Sequence, residues 1–264
     1  MKEIKDAFGR LVEIIAKLRS DDGCPWDREQ THETLKTGII EEAYEVVETI
    51  DQRNYDKFEE ELGDLLMQVL LNAQIAKDEG RFDILGVIKK ISEKLIRRHP
   101  HVFGDLIVKD SQEILQNWER IKSEERAEKD ENSLMDGIPI NLPALIQARK
   151  VQSRASRVGF DWDKAEDVIK KVDEEIIELK ESLNKLDKES IEEEIGDILF
   201  SIVNLSRFLE VEPEGALKKT TAKFIKRFRK MESIIANKGK SITDFDLAGL
   251  DKIWDSIKED EQRS

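Results

Sequence analysis

Residues 40–66, IEEAYEVVETIDQRNYDKFEEELGDLL, decide the fold. Glu42 and Glu45 stand three apart, as do Glu61 and Asp64, and Arg53-Asn54 lies midway between the two pairs. Residues three apart share a helix face. If two helices fold back on each other about that midpoint, position i faces position 106 − i, so Glu42 meets Asp64 and Glu45 meets Glu61. Residues 173–199, DEEIIELKESLNKLDKESIEEEIGDIL, repeat the arrangement. There Glu175, Glu178, Glu194 and Asp197 pair about Leu186, each 133 positions after its counterpart. The pattern predicts two helical hairpins, each gathering four carboxylates at one level.

The wider composition agrees. Charged residues and long aliphatics dominate, Gly and Pro are few, and no segment keeps a period-2 alternation of β-branched residues, so the expected class is all-α. A chain of 264 residues can build two domains, each with its own core. The duplication divides it into an N-terminal module over 1–130, a linker over 131–141 and a C-terminal module over 142–264. A formal charge of −14 argues against a nucleic-acid polymer as partner, because such binding rests on clustered cations. A small polyanion would need a cation to bridge it to this surface. The single Cys24 excludes an intramolecular disulfide or a multi-cysteine zinc site and fits a reducing cytosol. The leading MKEIKDAFGR has no apolar signal core, and no uncharged apolar run approaches the roughly 20 residues of a membrane span. A soluble, cytoplasmic protein is therefore expected.

Taken in order, Ile4, Phe8, Leu11, Val12, Ile15 and Leu18 mark a first helix over residues 4–19, followed by a break at Gly23-Cys24-Pro25 before Trp26-Asp27. Cys24 lacks a neighbouring base motif and reads as a packed or bystander thiol. The first hairpin is expected over about 31–52 and 54–79. Its acids should flank a buried stripe of Ile39, Ile40, Ala43, Val46, Val47 and Ile50 against Phe58, Leu62, Leu65, Leu66, Val69, Leu70 and Ala73. Gly63 and Gly196, each just before an acid, suggest close helix approach beside the carboxylates. Asp83 should cap a helix ending at His99-Pro100-His101, where proline between the histidines spoils a helical metal pair. Further helices are expected over 111–128, 142–158, 213–236 and 247–258, with the second hairpin at 164–185 and 189–210. Lys94 and Arg98 match Lys223 and Arg227, and Trp118 and Lys122 match Trp254 and Lys258.

With 58 acidic residues, a lone E-x-x-E would most simply be a solvated helix face. Two facing pairs, repeated in a diverged second copy, point instead to a site. Carboxylates near 4 Å repel by roughly 4 kcal/mol at an effective dielectric of about 20, so four together call for a cation. An all-oxygen set suits Mg2+ or Mn2+ rather than zinc. No histidine follows at the third position, which argues against a di-iron centre. Mg2+ held this way with open positions is a partner for substrate phosphates. Lys223 and Arg227, four apart, can neutralise phosphate oxygens, Trp254 offers a stacking surface and Lys258 another cation, with Lys94, Arg98, Trp118 and Lys122 as the first-module set. Core packing is the alternative role for Trp254.

EEAYE…EELGD and EEIIE…EEIGD resemble the E-x-x-E…E-x-x-D signature of the all-α nucleoside triphosphate pyrophosphohydrolases. With GCPWD, EGRFD, RRHPHVFGD and VGFDW alongside, essentially the whole chain resembles the two-module MazG family. That resemblance implies Mg2+-dependent hydrolysis of nucleoside triphosphates, ATP among them, to monophosphate and pyrophosphate. It also implies a homodimer with its site between helices, and a role in clearing unwanted nucleotides. Glu175, Glu178, Glu194 and Asp197 would then hold the metal and act in catalysis, with Glu42, Glu45, Glu61 and Asp64 as a second metal set. One carboxylate, Glu178 for instance, would serve as general base. Arg149, Arg154 and Arg157 on the leading helix of the second module favour that module as the active one. Two other classes fit the acids: a non-catalytic helical dimerisation module with structural cations, and a pyrophosphatase acting on a different diphosphate.

Overall fold

The computed structural model describes residues 1–127 and 133–263, which form two compact units, Met1–Glu124 and Glu125–Ser264. Every regular element among them is helical. The expected module boundary at 130 and the first residues of the expected linker fall within 128–132, outside the described residues.

In the first unit, α1 (Lys2–Leu18) leads through the short α2 (Pro25–Glu29) into the hairpin of α3 (Leu35–Gln52) and α4 (Tyr55–Asp78). Arg53 ends α3 in the left-handed region at φ 55°, and the Asn54 side chain accepts the Lys57 backbone N–H to start α4. This is the pivot expected from the sequence. The core forms where α1 crosses α4: Ile15, Leu70, Leu71 and Ile75 are buried with Leu35, and Phe8, Leu11, Val12 and Met67 pack around them. Arg19, at the end of α1, ties this layer down through Asp78 at 2.9 Å and the carbonyl of Gln30 at 3.1 Å. Asp83 caps α5 (Ile84–Arg98) by accepting from Gly86, and Pro100 opens the four-residue α6 (Pro100–Phe103). The helix α7 (Ser111–Ala127) follows.

The second unit repeats the plan. α8 (Ala144–Ser156) packs on α10 (Lys188–Phe208), which pairs with α9 (Ala165–Lys185) about Leu186 at φ 56°. Pro213 starts α11 (Pro213–Asn237), as expected of a first-turn proline. A 3-10 turn at Ile242–Asp244 then leads to α12 (Leu247–Arg263). Met231, Ile235 and Ile257 make the core between α11 and α12.

Two expectations fail, the first in part. Of the expected stripe, Leu70 and Ala73 are buried, but Ile39, Ile40, Val47 and Ile50 on α3, with Leu62, Leu66 and Val69 on α4, are exposed; Ile40 and Ile50 each keep 55% of their surface. The face of α3 turned to α4 runs instead through Leu35, Glu42 and Thr49, and that of α4 through Glu61, Gln68 and Ile75. The acids occupy the seam itself, which displaces the apolar residues to the outer face. Gly63 and Gly196 do not mark close helix approach either, since a Cβ added at each meets nothing within 4 Å.

Candidate functional site

The first site lies in the α3–α4 seam. Carboxylate oxygens of Glu42, Glu45 and Glu61 lie within 4.8 Å of one another, and Asp64 completes the quartet through its charge on Glu42. Burial first, then the charges of Asp64, Glu45 and Glu61, push Glu42 above its ordinary value of 4.5. A hydrogen bond from Gln68 partly opposes this. Glu61 is buried, and Lys57, one turn earlier on α4, sits 3.1 Å from its Oε1. Gln68 is 6% exposed with its Oε1 unpartnered, and a Cβ at Gly38 would stand 2.9 Å from its Nε2. Glycine at 38 thus leaves room for the amide that serves Glu42.

The second site has the same frame with different contacts. Glu175, Glu194 and Asp197 bring carboxylate oxygens within 4.8 Å of one another. Glu178 joins through a hydrogen bond with Glu175, which, with burial and the charges of Glu175 and Glu194, raises its affinity for a proton. Glu194 is raised by burial, then by Glu175, Asp197 and Glu193. Here the buried carboxylate is Glu175, and Lys171 lies 2.8 Å from it and 2.9 Å from Glu174. Six of the eight predicted acids thus meet as two clusters of three, and Asp64 and Glu178 act on them through charge and a hydrogen bond.

The basic set makes contacts of its own. The charges acting most on Glu178 and Glu194 are those of Glu175, Asp197, Glu193 and Lys171. Lys223 lines a separate cleft on α11 and α12 with Lys226, Lys230, Asp260 and Glu261. Arg227 Nε donates to Glu261 at 2.8 Å, and Lys258 to Asp255 at 3.0 Å. Trp254 packs on Phe224, 5.0 Å between ring centroids, and against the α11–α12 core, so its packing role is realised. In the first unit Arg98 and Lys122 lie over the Trp118 ring at 5.6 and 5.8 Å, with His99 edge-on, while Lys94 is exposed. Arg154 donates to the carbonyls of Leu134 and Asp136 and so holds the turn before α8. Cys24 is a half-buried free thiol at the start of α2.

Lys57, Lys171 and Gln68 are missing from the sequence reading. Each is on the seam face, four or seven positions from a quartet acid, and that spacing was the available signal.

The donor chemistry fits a hard divalent ion: clustered carboxylates, a buried amide oxygen without a donor, and no sulfur or histidine in either quartet. Fold and site together define an all-α protein with two acidic hairpin centres produced by duplication. The sequence pattern of the MazG nucleotide pyrophosphohydrolase domain matches residues 30–103 and again 164–231, one match over each hairpin. The chain is 50% identical over 258 residues to the nucleoside triphosphate pyrophosphohydrolase/pyrophosphatase MazG of Thermotoga maritima, covering 98% of both chains. It is 46% identical over 255 residues to the nucleoside triphosphate pyrophosphohydrolase of Escherichia coli K12, covering 96% of this chain and 97% of that one. Uncharacterized protein YabN of Bacillus subtilis is 48% identical over 258 residues, 97% of this chain and 53% of YabN. This chain belongs to the MazG nucleotide pyrophosphohydrolase domain family.

Proposed function

We propose that the protein is a Mg2+-dependent nucleoside triphosphate pyrophosphohydrolase that cleaves between the α- and β-phosphates, with ATP among its substrates, in the cytoplasmic nucleotide pool. The supporting observation is that three acids of each quartet, Glu42, Glu45 and Glu61 in one and Glu175, Glu194 and Asp197 in the other, meet within 4.8 Å, in a family whose relatives carry this activity in their names. Glu175, Glu178, Glu194 and Asp197 are the metal and catalytic set of the second module; Glu42, Glu45, Glu61 and Asp64 are that of the first. A bound divalent ion, Mg2+ or Mn2+, offsets triphosphate charge and makes water more acidic.

Glu178 is the best candidate for the base, because its contact with Glu175 raises its proton affinity while its side chain stays exposed. It takes a proton from the attacking water, whose oxygen bonds to the α-phosphorus as the bridging P–O bond to the β-phosphate breaks. Pyrophosphate leaves with that electron pair, and nucleoside monophosphate remains.

The protein acts as a homodimer. The exposed apolar stripe on each hairpin, with open space at Gly63 and Gly196, suits a second copy lying against it. Lys223, Arg227, Trp254 and Lys258, with Lys94, Arg98, Trp118 and Lys122, are the substrate-binding groups in this reading.

A panel of nucleoside triphosphates with Mg2+, resolved by product, tests the reaction. Monophosphate plus pyrophosphate is expected; diphosphate plus phosphate overturns the bond assignment. A Glu178→Gln protein that binds metal normally and turns over at the parental rate removes Glu178 as base. Sedimentation equilibrium at micromolar concentration tests the dimer.

A further inference from the structure

The buried carboxylate of each quartet is the one that carries a lysine one turn earlier on its own helix, and the two modules place that pair on opposite helices. In the first it is Lys57 with Glu61, on the second helix of the hairpin, at 3.1 Å. In the second it is Lys171 with Glu175, on the first helix, at 2.8 Å. The duplication did not copy these lysines. The position matching Lys57 is Ser190, and the position matching Lys171 is Gly38, where an added Cβ would stand 2.9 Å from Gln68 Nε2. Each module therefore places an ammonium in the seam at a position the other does not use, in contact with its buried carboxylate.

We infer that Lys57 and Lys171 are resident counter-cations that hold the metal-free quartets together and are displaced when a divalent ion binds. The inference rests on the metal reading proposed above. Four carboxylates cannot share a seam uncompensated, and an ammonium on the buried member supplies the nearest positive charge. A divalent ion would draw on the same carboxylates, and the like charge of an ammonium in contact with them would oppose it. The two sites should release their lysines with unequal ease. Lys57 is 50% exposed and its other acidic neighbours, Glu45 and Glu48, act only through charge. Lys171 is 33% exposed, bridges Glu174 and Glu175, and also acts on Glu178 and Glu194. The first site should thus load at lower ion concentration than the second.

Mn2+ binding to the full chain, followed by electron paramagnetic resonance, tests this. Glu42→Gln with Glu61→Gln isolates the second site, and Glu175→Gln with Glu194→Gln isolates the first. In those backgrounds Lys57→Met should tighten Mn2+ at the first site about threefold and Lys171→Met at the second about tenfold. Lys→Arg at either position should leave the affinity at its parental level, since the cation is kept. Far-ultraviolet circular dichroism confirms that each variant is folded, which is expected because both lysines reach solvent. Affinity unchanged or weakened by Lys→Met, with Mn2+ still bound by the parent, overturns the exchange while leaving the metal reading intact. A parent that binds no Mn2+ at either quartet removes the metal reading and this inference with it.

Discussion

Adding a divalent ion to the metal-free protein should stabilise it against heat, and the structure sets the size of the effect. Carboxylate oxygens within 4.8 Å of each other in the first quartet repel by about 3–4 kcal/mol per pair at an effective dielectric of about 20, less where water screens the exposed Glu45. An ion at about 100 times its dissociation constant adds about 2.7 kcal/mol at one site, comparable to relieving one such pair. For a unit of this size that corresponds to a rise in Tm of about 5–10 °C. Differential scanning calorimetry with EDTA, then with Mg2+ or Mn2+, measures it. Glu42→Gln with Glu61→Gln should remove the share of the first unit, Glu175→Gln with Glu194→Gln that of the second, and all four together should leave none. Sodium chloride at matched ionic strength should reproduce little of the rise, because screening does not require a coordinated ion. If the quadruple variant gains as much from Mg2+ as the parent, the seam is not where the ion binds.

Three further outcomes are expected. Glu42, Glu178 and Glu194 all hold protons more tightly in the fold than free carboxyls do. Raised acids favour the fold below the ordinary carboxyl value of 4.5 and that contribution is lost as pH rises through their raised values, so metal-free stability should fall as pH climbs above about 4.5. The gain from Mg2+, read by calorimetry across that window, should grow correspondingly. Leu199→Asp, at a side chain 52% exposed on the outer face of α10, should weaken the proposed dimer by about 2–3 kcal/mol in sedimentation, as both copies lose a buried leucine; unchanged association would exclude this face. Leu186→Gly, at φ 56° and 83% exposed, should raise stability in urea by about 1 kcal/mol, since the left-handed residue gives up little packing.

Much of this architecture was legible because an antiparallel hairpin imposes mirror spacing. The condition that four acids pair about one midpoint located the pivots, and the left-handed residues stand there, at Arg53 and Leu186. The quartets followed from the same symmetry. What could not be read was which helix face closes on the other. Apolar residues normally mark the buried side, yet Ile40, Ile50 and Leu66 point outward here because the seam is given to acids. Gly63 and Gly196 misled for the same reason, marking an open flank and not an inner one. The spacing shared by Lys223, Arg227, Trp254 and Lys258 with their first-module counterparts revealed the duplication, but spacing within helices carries no distance to a seam on other helices. The Arg227 pairing with Glu261 and the packing of Trp254 on Phe224 needed tertiary structure.

A hairpin with charge in its seam has to draw its stability from elsewhere. In the first unit the seam is anchored at its ends by Leu35 and Thr49 on α3 and by Leu71 and Ile75 on α4, and the apolar burial comes from α1 laid across the far half of α4. The half that carries the acids, from Glu42 to Asp64, has no such cover, and its outer residues Ile50 and Leu62 meet water. The same holds in the second unit, where Ile177, Ile195 and Leu199 are exposed beside the acids. Each centre is therefore under-stabilised from two directions, by like charges inside and by unmet apolar surface outside. A cation answers the first and a partner surface the second. Both copies accordingly keep the acids at equivalent positions, whereas the compensating lysine, which needs only to reach the buried carboxylate, stands on the second helix of one hairpin and the first helix of the other.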